Sequence, residues 1–307
     1  MRRRVPPLLV LLALVAVCAG LLVLAARLRQ KGRTITGWLA RVPPGEAIIL
    51  YLDFDALRRI GLLDLLALSR LSEEVEYRAF VEQTSFDARQ DLYAVLIAFH
   101  PEGNYIVARG RFDWDALDSF VSSQGGACHN SFCRVAGSRP DRRISYFPLR
   151  PDVMALAVSK DSSAAEQLQV RRRTLGSYPP AQALLWALIP ARRLDSARQL
   201  PAGTRLFAQS LARAEQLVFS LLPESSGLNL NLEVACSSRE EAAVLAAKLR
   251  GLTEALRQMI AREKQQPNPR DLSGVLTAGV FQQRDNLVLA RWPLPRPFLE
   301  SLAEGAL

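Results

Sequence analysis

The chain has 307 residues, 49% of them hydrophobic and 22% charged, an ordinary composition that argues against large-scale disorder. Its formal charge of +9 is unevenly placed: residues 1–33 hold seven Lys and Arg and no acid, and the other 32 basic residues face 30 acidic ones. The near-neutral remainder removes the support that a basic pI would otherwise give a nucleic-acid reading, and no nucleic-acid partner is expected.

The first element is Leu8–Ala26, nineteen residues without a charge, preceded by Arg2, Arg3 and Arg4 and followed by Arg27, Arg29, Lys31 and Arg33. As a helix rising ~1.5 Å per residue it spans about the ~30 Å hydrocarbon core of a bilayer. It predicts an N-terminal transmembrane helix, a single-pass signal-anchor in a bacterial-type inner (plasma) membrane, with the lipid bilayer as partner. Two alternatives use the same residues: a signal peptide cleaved after Ala19, with Val17 and Ala19 as the site, or a lipoprotein acylated on Cys18. The ordinary outcome for a first apolar segment exports the C-terminal domain, here into a periplasmic space, although the flanking charges are balanced.

The soluble part reads as α+β, antiparallel β-hairpins alternating with helices. Ala47–Leu52 is a continuous apolar run of strand length, buried on both faces. Asp55 is placed to cap a helix from Ala56, and a second helix spans Glu73–Gln83. Leu92–Phe99 and Tyr105–Phe112 form a hairpin about His100–Asn104. Asp113 caps a helix from Trp114 to Ser123, Gln124–Arg142 reads as a loop, and Ile144–Leu149 with Val153–Val158 makes a second hairpin, followed by a short helix near Ser163.

A basic, Pro-rich stretch then reads as a linker. Beyond it come a buried strand at Ala183–Ile189, a helix at Thr204–Gln216 and a hairpin of Leu217–Leu222 with Leu228–Ala235. A capping box at Ser237–Glu240 opens a long helix whose apolar residues run from Ala242 to Ile260 at three-four spacing. Val275–Gln282 and Leu287–Trp292 form the last hairpin, and a short helix starts at Arg296. The organisation is an anchor at 1–33, a first α+β half at 34–170, a linker at 171–181 and a second half at 182–307. The matching element order suggests an internal repeat, a duplicated unit.

Chemistry is sparse. P-loop, dinucleotide-binding and serine-nucleophile motifs are absent, so neither a catalytic residue nor a cofactor is expected. Asp53, Asp55, Asp113 and Asp115 could pair as catalytic carboxylates, but Asp between a strand and a helix is what an N-cap requires. Cys128 and Cys133 suit a disulfide in an exported domain; a structural metal site would need ligands that His129 and the lone His100 cannot complete. Arg139, Arg142, Arg143 and Arg150 offer contact with an anionic partner such as headgroups or an acidic polymer. The functional expectation is a membrane-anchored envelope protein that binds or scaffolds a protein partner. The alternatives are an envelope enzyme using carboxylates and a membrane-tethered cytoplasmic regulator.

Overall fold

A computed structural model of the chain describes residues 35–63, 75–137, 139, 141–172, 183–190, 192–193, 210–211, 214–224 and 227–304. The Leu8–Ala26 segment, the linker beyond Arg172 and most of the Thr204–Gln216 helix lie outside them. Among the described residues no helix is long and apolar enough to cross a membrane.

Among the described residues the protein is a mixed α+β fold built on one antiparallel sheet of twelve strands. The first half supplies β1 (Ile48–Leu52), β2 (Leu92–His100), β3 (Gly103–Gly110), β4 (Ala127–His129), β5 (Phe132–Ala136), β6 (Arg143–Arg150) and β7 (Val153–Ser159). The second supplies β8 (Leu185–Pro190), β9 (Gln216–Glu224), β10 (Gly227–Ala235), β11 (Val280–Arg284) and β12 (Leu287–Pro295). Across the sheet they run β11-β12-β10-β9-β8-β1-β2-β3-β7-β6-β5-β4. Outward from the β1–β8 seam, both halves begin alike, with a lone strand, a hairpin, then a second hairpin whose later strand lies inside its earlier one; the first half adds β5 and β4 at its edge, without a counterpart among the described residues of the second.

Strand pleating assigns each side chain to a face. One face carries the helices. In the first half these are α1 (Phe54–Arg59), α2 (Val75–Thr84), α3 (Ala88–Asp91) and α4 (Trp114–Ser123); in the second, α5 (Arg239–Arg262), α6 (Leu272–Thr277) and α7 (Arg296–Ala303). Leu57, Leu117 and Val121 pack there on Val95, Ala108 and Met154. Leu245, Ala246 and Leu249 of α5 pack on Val234, Val288 and Ala290. Leu294 and Leu299 border both clusters, so the helical-face core is continuous across the halves.

The opposite face is covered in the first half by a helical turn at 35–39 and a 3-10 helix at Ala164–Gln169. Ile35, Trp38 and Leu39 close with Ala164, Ala165 and Leu168 over Leu96, Val107 and Ala155. The chain end departs from the shared strand order here. The 3-10 helix after β7 packs on this face, whereas α7 after β12 packs Phe298 and Leu299 on the helical face.

Several sequence expectations need correction. Asp53, not Asp55, caps α1, its carboxylate accepting from the Ala56 N–H at 3.0 Å. Asp55 lies in the first turn and pairs with Arg58. The turn of the first hairpin is only Pro101-Glu102. The Gln124–Arg142 loop contains β4 and β5, joined by Asn130-Ser131, both at positive φ (48° and 61°), as a two-residue hairpin of the type I′ kind requires. The element near Ser163 is a 3-10 helix. Gln216 begins β9 and does not end a helix. The cap of α5 is Ser238, accepting from Glu241 N–H, one residue later than the box proposed from sequence.

The expected strand start at Val275 is instead α6. Asp271 caps it through the Ser273 N–H at 2.7 Å. Gly274 permits a close approach, since a Cβ there would stand 2.2 Å from the Asn268 carbonyl oxygen.

Candidate ligand-binding trough

The in-register rows of the sheet show where its chemistry changes. On the face opposite the helices one row reads Phe147, Ala155, Val107, Leu96, Tyr51 and Trp186 through the first half and the seam. Past the seam the same row continues as Ser220, Asn231, Arg291 and Val280. Neighbouring rows add Glu233 and Gln282 on one side and Asn229 and Pro293 on the other. An apolar, covered surface thus gives way to one that mixes polar side chains with Val218, Val280, Leu289 and Pro293. No described helix lies across it.

This second-half face forms a trough of about 710 Å³, whose lining includes Val218, Ser220, Asn229, Asn231, Gln282 and Arg291. That size falls within the ordinary range for small-ligand sites. One end is preset by a relay. Glu224 pairs with the Arg291 guanidinium, and Arg291 Nε donates at 3.0 Å to Oδ1 of Asn229, which is only 7% exposed. A buried amide fixed this way is rigid, because breaking its bond would strand a polar group. The side chains of Ser220, Asn231, Glu233 and Gln282 have no hydrogen-bond partner among the described residues. Their amide, hydroxyl and carboxylate groups remain available to a polar ligand. The sequence signal was the strict alternation Leu228-Asn229-Leu230-Asn231-Leu232-Glu233-Val234, a strand polar on one side, which sequence reasoning used only to place a hairpin.

The carboxylates singled out from sequence serve mainly local structure. Asp53 and Asp113 are N-caps of α1 and α4, Asp113 accepting from Ala116 N–H at 3.0 Å. Asp55 pairs with Arg58 and lies 3.9 Å from Arg109. Asp115 occupies the first turn of α4, where a negative charge suits the helix dipole. If Asp113 acts as a cap, Asp113→Ala lowers stability by about 1 kcal/mol in urea unfolding, while Asp113→Asn, which also caps well, costs little. A large loss in both would contradict the capping role.

Cys128 and Cys133 stand directly opposite across β4 and β5, Cα atoms 4.0 Å apart and sulfurs at 2.04 Å, the distance of a disulfide bond. Asp118 of α4 brings a carboxylate oxygen within 4.8 Å of both sulfurs, the arrangement among the described residues that most resembles a metal site. Sulfurs bonded to each other offer no thiolate to an ion. Tyr146 donates to Asp118 at 3.3 Å, and burial followed by the Asp118 charge pushes its phenol well above the ordinary tyrosine range. Cys236 is a buried free thiol, raised by burial and by Glu241 and Glu215. That is the opposite of an activated nucleophile.

Arg139, Arg142 and Arg143 lie exposed in and beside the β5–β6 connection. Arg150 ends β6, and seven residue steps of ~3.3 Å separate it from Arg143 by roughly 23 Å. The four therefore do not form one patch.

No family model matches the chain, and no curated protein matches it. Among solved structures it is similar to crystal forms of TP0453. Form III aligns with a TM-score of 0.46 and 11% identity, over 87% of this chain and 97% of that one. Form I gives 0.48 and 12% over 87% and 97%, and form IV 0.48 and 12% over 87% and 95%.

Proposed function

We propose that the protein is a single-pass, membrane-anchored binding or scaffolding module of the cell envelope, built from a duplicated α+β unit, with the second-half trough as its binding site. The observation that carries the binding role is the trough: a preset Glu224–Arg291–Asn229 relay beside side chains whose hydrogen-bonding groups are unused. Anchoring is supported by the uncharged Leu8–Ala26 run with its basic flanks. Duplication is supported by the common strand order on either side of the β1–β8 seam.

A photo-crosslinking residue placed at Gln282 of the full chain, in its own membranes, tests the site. A discrete adduct that is lost in Asn231→Trp, and not formed from exposed Val244 on α5, supports it. Equal labelling from both positions counts against it.

Export is supported by the cross-strand pair Cys128–Cys133. Closing so short a loop contributes about 2 kcal/mol by chain entropy, enough to hold β4 and β5 at the sheet edge. Denatured, unreduced full-length protein should then expose two thiols, Cys18 and Cys236, and reduction should raise the count to the four cysteines of the chain. Four thiols before reduction, in protein isolated with thiols blocked at lysis, would favour a cytoplasmic domain.

A further inference from the structure

The face opposite the helices is also where the described chain begins. The helical turn at 35–39 is pinned there by arginines. Arg41 Nη1 donates to the Leu168 and Gln169 carbonyls at 2.9 and 3.0 Å. Arg172 Nη1 donates to the Arg41 and Gln167 carbonyls, each at 3.0 Å. Arg171 Nη2 lies against Gly37, 3.2 Å from where a Cβ would stand. Arg150 stands opposite Val153 across a bulge in the β6–β7 ladder, and Val153 belongs to the same apolar cluster as Trp38 and Leu39. These partners are backbone carbonyls; none of the four guanidiniums has a carboxylate partner among the described residues.

Burial first, then the charges of Arg171 and Arg150, lower the Arg41 pKa, as like charges brought together require. Val170, beside Arg171, is 54% exposed. Concentrated positive charge around an exposed aliphatic side chain matches a membrane interface, where headgroups neutralise the one and receive the other. The chain length agrees. Eight residues, nine chain steps, separate Ala26 from Ile35, so this turn lies within about 32 Å of the end of the apolar segment.

We propose that Arg41, Arg150 and Arg171, with Val170 among them, dock the domain onto anionic phospholipid headgroups of the membrane that holds its anchor. The docking fixes which side of the sheet faces the bilayer. It rests on the anchored reading above and goes beyond it by assigning the domain an orientation.

The test places the full chain in nanodiscs of phosphatidylcholine alone or with phosphatidylglycerol, and follows amide hydrogen exchange over residues 38–41 and 164–172. Exchange slows in the anionic discs, and 0.5 M salt abolishes the difference. Arg150→Gln and Arg171→Gln each lower the docked-to-free ratio by about fivefold, the equivalent of ~1 kcal/mol per basic residue at an anionic surface. Both side chains are exposed, so unchanged unfolding midpoints separate lost docking from lost structure.

Equal exchange in the two discs, from protein that co-purifies with them, overturns the docking and leaves the anchor standing. Protection by soluble polyphosphate in neutral discs, without protection by phosphatidylglycerol, also overturns lipid as the partner. Failure of the full chain to enter discs overturns the anchored reading itself.

Discussion

Trp186→Ala should lower stability by about 3–5 kcal/mol and loosen the two halves together. Trp186 is 1% exposed and lies on β8; its ring stacks on Tyr51 of β1 at 5.6 Å between centroids. The pair sits on the seam where the halves meet, a contact of four register pairs between β1 and β8. A cavity there removes apolar area from both sides of the short junction and cannot be refilled by one half alone. Urea unfolding followed by far-ultraviolet circular dichroism, in detergent-solubilised full chain, checks the magnitude. Trp186→Phe retains a ring against Tyr51 and should lose much less. A wild-type midpoint in Trp186→Ala would mean that the seam does not couple the halves.

The second large effect is on α5. Leu249→Ala should cost about 2–5 kcal/mol, whereas Met259→Ala should lie within about 0.5 kcal/mol of wild type. Leu249 is wholly buried against the sheet and Met259 is 60% exposed, although both belong to the apolar stripe seen in the sequence. The buried residues of the helix end at Thr253. The remaining turns reach the end of α6, where Arg257 Nε donates to the Thr277 carbonyl at 2.9 Å, and their apolar side chains are only partly covered or exposed. Equal losses at both positions would show that the distal turns have a partner in solution.

That helix shows what sequence reasoning can and cannot reach. Three-four spacing identified α5 and its start to within one residue, because periodicity is a local property. It could not say where the supporting sheet ends, which depends on strands distant in sequence. The hairpins were similarly legible: β2 with β3, β6 with β7 and β9 with β10 are long apolar runs broken by Pro and Gly. The β4–β5 hairpin was not, since its strands have three and five residues and its turn places a serine at positive φ. Val275-Leu276-Thr277 reads as strand by β-branching, yet the Asp271 cap and the close packing of Gly274 on Asn268 make it helical.

The candidate site was hidden for a different reason. Asn229, Asn231 and Arg291 become neighbours only through strand register, and the row of Asn231 and Arg291 carries polar side chains only in the second half. Alternation in β10 alone marks a half-solvated strand, a common feature of antiparallel sheets. The trough needs β9, β10, β12 and β11 side by side. The arginines that gather near the N-terminal turn were likewise scattered at positions 41, 150 and 171. In the sequence Arg150 groups with Arg139, Arg142 and Arg143, which lie toward the other end of β6.

The anchor is the claim on which location, export and docking depend. Alkaline carbonate extraction of membranes carrying the full chain tests it most directly, with the N-terminus of the recovered protein sequenced. The expected result is protein in the membrane pellet with Arg2–Arg4 and the Leu8–Ala26 segment still attached. Release into the supernatant of chains whose first residues are intact would contradict it.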